Sequence, residues 1–140
     1  MIERNAARPK KEYEDMIQES LGKVKIALDE NLSDAVPVLR ELGRTVDLPD
    51  PGSTDRQVHQ WLLKQNFTVF FTANTRDFKE FLSQRPKYIL VDCDKMKPWH
   101  HETKANAIHQ WMRKHYQQAF THKQQNGSFV AVLNNDIFKK

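Results

Sequence analysis

Four glycines, one cysteine and no long apolar run narrow the chemistry of this 140-residue chain before any motif is read. Gly22, Gly43, Gly52 and Gly127 lie too far apart to build a G-x-G-x-x-G turn or a P-loop, so glycine-rich phosphate cradles are excluded. Cys93, alone, closes no internal disulfide and forms no zinc knuckle; a reducing cytosol is the expected setting. Flanked by Asp92 and Asp94, its thiol is expected to hold its proton and be a poor nucleophile. No serine stands in a nucleophile-elbow pattern. No stretch approaches the roughly 18 apolar residues of a membrane span, so no membrane role is expected. The first 20 residues, MIERNAARPKKEYEDMIQES, carry charges where a signal peptide has its apolar region, and the expected location is cytoplasmic.

Zinc is disfavoured by spacing. His100 and His101 are adjacent and do not face one point on a helix. His109, His115 and His122 are six and seven residues apart and miss the i, i+4 spacing of a helical zinc pair. With Lys104, Arg113, Lys114 and Lys123 they read as the solvent face of a long helix, which either meets phosphates or only faces water.

A hydrophobic share of 39% beside 29% charged residues fits one globular domain and excludes a disordered tail. A chain of this length buries roughly two thirds of its unfolded surface and folds without staples. Charge is unevenly placed. Residues 1–70 carry 10 Lys and Arg against 12 Asp and Glu, whereas residues 71–140 carry 12 against 6. The second half is therefore the basic one, which is compatible with a polyanionic partner.

Residues 1–22 read as an extension, with a short helix over 10–21 (Tyr13, Ile17 and Leu21 on one face) stopped by Gly22. It either packs on its own domain or docks a partner. From residue 23 to 140 strands alternate with helices. Strands are expected over 24–28, 44–48, 67–72, 87–91 and 128–133. Helices are expected over 32–42 (kinked or started late by Pro37), from about 55 with Val58, Trp61 and Leu62 inward, over 76–84, and over 99–123. The long last helix turns Ala105, Ile108, Met112, Tyr116 and Ala119 inward. This alternation predicts an α/β fold with a mostly parallel sheet.

In such a sheet, ligands bind beyond the carboxyl ends of the strands. Asp29 and Glu30 follow the first strand, Asp47 and Asp50 the second, Thr72, Asn74 and Asp77 the third, and Asp92 and Asp94 the fourth; Asp55 opens a helix at the same edge. Crowded carboxylates repel unless a cation neutralises them, and hard oxygen donors select Mg²⁺ or Mn²⁺. Structural roles compete at each position. Asp29 is a helix N-cap unless Asn31 or Ser33 takes that place; Asp55 or Thr54 caps the next helix; Asn74 and Asp77 serve a turn and a cap. Glu30 points away from Asp29 if the strand continues, and Asp92 and Asp94 read as loop acids beside Lys95 and Lys97.

Residues 24–42 (VKIALDENLSDAVPVLREL), followed by STDRQVHQWLLKQN and FTVFFTANTRDF, resemble the PIN-like family of small prokaryotic proteins, relatives of the PIN-domain ribonuclease toxins of toxin–antitoxin modules. The likeness covers about residues 23–82. It implies a three-layer α/β/α domain and a Mg²⁺- or Mn²⁺-dependent endoribonuclease. By position, Asp29, Asp55 and Asp77 would be the metal-binding and catalytic acids, joined by Asn74 after the third strand. Many family members carry Asp where this chain has Asn74, so a catalytically degenerate module binding nucleic acid or protein is the alternative. Thr72, Arg76, Lys104, Arg113 and Lys114 are the expected substrate contacts. RNA is the expected substrate (the same chemistry serves DNA), and an antitoxin protein and a second copy of the chain are the partners the resemblance implies.

Overall fold

The computed structural model describes residues 24–133; the expected helix over 10–21 lies outside them. Five strands, β1 (Lys25–Leu28), β2 (Thr45–Asp47), β3 (Val69–Thr72), β4 (Ile89–Asp92) and β5 (Val130–Val132), form one sheet in the order β2-β1-β3-β4-β5. Every pairing is parallel, with Ala27 beside Asp47 on one side and Phe70 on the other, and Phe71 beside Val91. The helices are α1 (Val36–Glu41), α2 (Asp55–Lys64), α3 (His101–Lys114) and α4 (Tyr116–Asn126). Among the described residues no helix is long and apolar enough to cross a membrane.

The strands are apolar at nearly every position because both faces of the sheet are covered. Period-two alternation sends Ile26, Leu28, Val69, Phe71, Ile89 and Val91 into one apolar cluster, with Leu32, Leu39, Ile108, Trp111 and Met112. It sends Ala27, Phe70, Leu90 and Val130 into the other, against Val58 and Leu62 of α2 and the rings of Phe78 and Phe81. The result is an α/β/α arrangement of three layers.

Three segments depart locally from the sequence pattern. Residues 30–35 form a 3-10 turn and α1 begins only at Val36, which puts Pro37 in the first turn, where its missing N–H is no loss. The helix expected over 99–123 is two helices. His115 adopts φ −125°, yet its N–H still donates to the Trp111 carbonyl at 2.8 Å and its own carbonyl accepts from Ala119 at 2.9 Å. The hydrogen-bond ladder passes through the bend, which lets Met112 and Tyr116 both bury. The stretch over 76–84 is likewise not one α-helix but two 3-10 segments, Thr75–Asp77 and Lys79–Gln84.

Candidate functional site

The sheet order reverses between β1 and β3, and in sheets of this kind the crevice that takes a ligand is expected beyond the strand ends at that point. Asp29 stands there. Its N–H continues the ladder to the Phe71 carbonyl at 2.9 Å, and its side chain is held on both oxygens. Oδ1 accepts from the Glu30 N–H at 2.8 Å, and Oδ2 accepts from the Thr72 hydroxyl at 2.7 Å. Asp29 is thus the N-cap of the 3-10 turn, not left free by Asn31 or Ser33; Asn31 instead accepts from the Ala73 N–H at 3.3 Å. Cap and site residue coincide, because a carboxylate has about four lone-pair positions and these two bonds use half of them.

Thr72, fully buried, also accepts from the Asn74 N–H at 2.9 Å. The end of β3 is therefore tied to the end of β1 through one hydroxyl. Asn74 is exposed at the start of the next turn and its side chain caps nothing there.

Asp55 reaches the same crevice from α2. Thr54 is the N-cap, in a reciprocal box with Gln57: the Thr54 hydroxyl accepts from the Gln57 N–H, and Gln57 Oε1 from the Thr54 N–H. This arrangement relieves Asp55 of capping duty. Partial burial, then the negative charges of Asp77, Asp29 and Glu80, push its carboxyl above the ordinary aspartate value. Asp29 from one segment, and Asp77 and Glu80 from another, thus all act on Asp55 at this edge. Glu80 carries no signal in the sequence beyond its place three residues after Asp77, at the start of the 3-10 segment that follows.

The remaining predicted residues divide. Arg76 is exposed on the turn between Asn74 and Asp77, beside the acids. Lys104 is not on a solvent face: it is 5% exposed, and its Nζ lies 3.3 Å from both carboxylate oxygens of Asp34. Its position on the inward side of α3 buries the aliphatic stem and aims the ammonium at Asp34. Arg113 and Lys114 are exposed, but they occupy the last turn of α3. There Arg113 acts electrostatically on Arg44, the residue preceding β2, and the Arg44 Nε donates to His109 Nδ1 at 3.0 Å. That is the amino end of the strands, so these cations sit at the edge opposite Asp29. Burial, then Arg44 and Arg113, hold the His109 imidazole below its usual value.

Asp92 and Asp94 staple loops. Asp94 Oδ1 accepts from both the N–H and the hydroxyl of Thr75, at 3.0 and 2.8 Å, while Asp92 Oδ1 accepts from the Asp94 N–H. Asp47 pairs with Arg40 at 3.2 Å. Burial first, and only then Asp92 and Asp94, raises the Cys93 thiol.

The donor set of the crevice is all oxygen, as Mg²⁺ or Mn²⁺ requires. Among the described residues no three His, Cys, Asp or Glu side chains form a group able to hold one ion. No family model, curated protein or solved structure matches this chain.

Proposed function

We propose that this chain is a divalent-metal-dependent endoribonuclease. The reading is carried by one observation: the charges of Asp77, Asp29 and Glu80 bear on Asp55, so acids distant in sequence lie near enough to interact at the carboxyl edge of a parallel sheet. The sequence resemblance to PIN-like proteins supports the same reading. By extension it supports a toxin with an antitoxin partner.

One or two of Asp29, Asp55 and Asp77 would hold Mg²⁺ or Mn²⁺, with water and substrate phosphate completing the shell. When bound, the ion supplies positive charge for the scissile phosphate and an activated water. Burial raises the proton affinity of Asp55 most, and the repulsion by Asp77, Asp29 and Glu80 that adds to it is what a cation would relieve. Thr72 orients Asp29 by its 2.7 Å hydrogen bond. Arg76, exposed and next to Asp77 in the chain, would offer a cation to a backbone phosphate. Asn74 donates or accepts without adding charge.

The test is cleavage of labelled tRNA, mRNA and DNA by the full chain with Mg²⁺, with Mn²⁺ and with chelator. The expected result is RNA cleavage that chelator stops and Asp29→Asn abolishes while the fold persists. Full activity in Asp29→Asn would refute the assignment. Asn74, and the lack of three direct ligands among the described residues, favour a second reading: a non-catalytic binding module. RNA binding with no cleavage under either ion would establish it in place of the first.

A further inference from the structure

The loop after β2 and the helix α2 wall a shallow open cleft of about 430 Å³. That falls within the ~300–1,000 Å³ of small-ligand sites. Its lining includes Asp50, Pro51, Ser53, Gln57, Gln60 and Trp61. Three features define what fits it. Trp61 is half-buried and braced by Phe67, whose ring centroid lies 4.5 Å away, so the indole is a supported aromatic surface at the cleft. Gln57 and Gln60 carry amides, each with donors and an acceptor. Gln57 Oε1 is taken by the Thr54 N–H, which directs its amide N–H groups to other partners. Asp50 is the one charged residue of the lining, and an acid repels a phosphate.

A planar, uncharged ring with N–H donors satisfies all three. The geometry points to a nucleobase subsite: Trp61 offers the stacking surface, and Gln57, Gln60 and Asp50 offer hydrogen bonds to the base edge. Single-stranded RNA is read in this way, by stacking on aromatics and bonding to exposed base edges. A carboxylate accepts from the exocyclic amino groups of adenine, cytosine and guanine, whereas the one base N–H of uracil lies between two carbonyl oxygens that the acid repels, so the first three are preferred.

The subsite rests on the nuclease reading for its place in a longer substrate. Trp61 stands six residues beyond Asp55 on α2, about 9 Å along the helix axis. A base seated here belongs to a nucleotide near, but not at, a phosphate held in the crevice. This subsite would choose which RNA segment enters, while the acids perform the cleavage.

The experiment measures equilibrium binding of fluorescein-labelled rA₄, rC₄ and rU₄ to the full chain, in chelator so that no cleavage occurs. Expected is tighter binding of rA₄ and rC₄ than of rU₄, weakened roughly 5- to 150-fold by Trp61→Ala, the worth of one base stack. Because Trp61 also packs on Phe67, Trp61→Phe provides the control: it keeps an aromatic surface and should restore most of the affinity. Asp50→Asn, at an exposed position, should erase the preference over rU₄. Equal binding of all three oligomers, or affinity untouched by Trp61→Ala and Asp50→Asn, overturns the subsite even if Asp29→Asn abolishes cleavage. Base-selective binding lost in Trp61→Ala supports the subsite even if the wild type cleaves nothing, in which case the nuclease reading alone fails.

Discussion

Replacing Asp34 by alanine tests whether Lys104 is a structural cation or one available to RNA. Lys104 Nζ lies 3.3 Å from both oxygens of Asp34; the lysine side chain is 6% exposed and the aspartate 50%. Breaking a fully buried ion pair costs ~3–5 kcal/mol, because the remaining charge is stranded away from water. Asp34 is half in solvent, so water reaches the abandoned ammonium and the expected cost of Asp34→Ala falls to about 2 kcal/mol. At roughly 3 °C per kcal/mol for a chain of this size, that is a drop in Tm of about 6 °C. Lys104→Met removes the ammonium and retains an unbranched apolar stem, so its cost should stay within about 1 kcal/mol. Urea and thermal unfolding of both variants measure the asymmetry, and RNA binding of Lys104→Met should equal that of the wild type. A neutral Asp34→Ala would refute the buried-pair account. Weakened RNA binding in a fully stable Lys104→Met would return Lys104 to the substrate surface.

Two further outcomes follow from the crevice. Asp55 binds its proton more tightly when folded than when unfolded, so ionising it costs stability: the penalty is absent below the ordinary aspartate pKa of ~3.9 and complete once pH exceeds the raised folded value. Asp55→Asn should therefore resist urea better than the wild type at pH 7, match it near pH 3, and lose cleavage; a less stable variant at pH 7 would contradict the crowding. Thr72→Val removes the hydroxyl that donates to Asp29 Oδ2 and accepts from the Asn74 N–H, costing both groups this partner at a part-buried position. The expected loss is about 1–3 kcal/mol in urea titration and on the order of 10- to 100-fold in cleavage rate, with Thr72→Ser restoring both; unchanged kinetics in Thr72→Val would remove Thr72 from the positioning of Asp29.

Much of the layered architecture is written in short-range pattern. Apolar, β-branched runs such as KIAL and ILVD, alternating with helices whose inward residues recur at three and four, already imply an α/β sheet buried on both faces. From that topology follows the edge to which Asp29, Asp55 and Asp77 belong, since parallel strands carry all their carboxyl ends to one side. Periodicity is a local property, and these features are decided locally.

Tertiary structure decided the rest. Nothing at His115 is a helix breaker, so the bend between α3 and α4 is legible only in how Met112 and Tyr116 bury together. Lys104 looks like any exposed helical lysine until Asp34, 70 residues earlier, is folded against it. Arg113 and Lys114 look like neighbours of the acids until the direction of α3 carries them to the opposite end of the strands. Glu80 joins the crevice, and Thr54 rather than Asp55 caps α2, for the same reason: a side chain's partner is set by three-dimensional proximity, which composition and spacing along the chain do not encode.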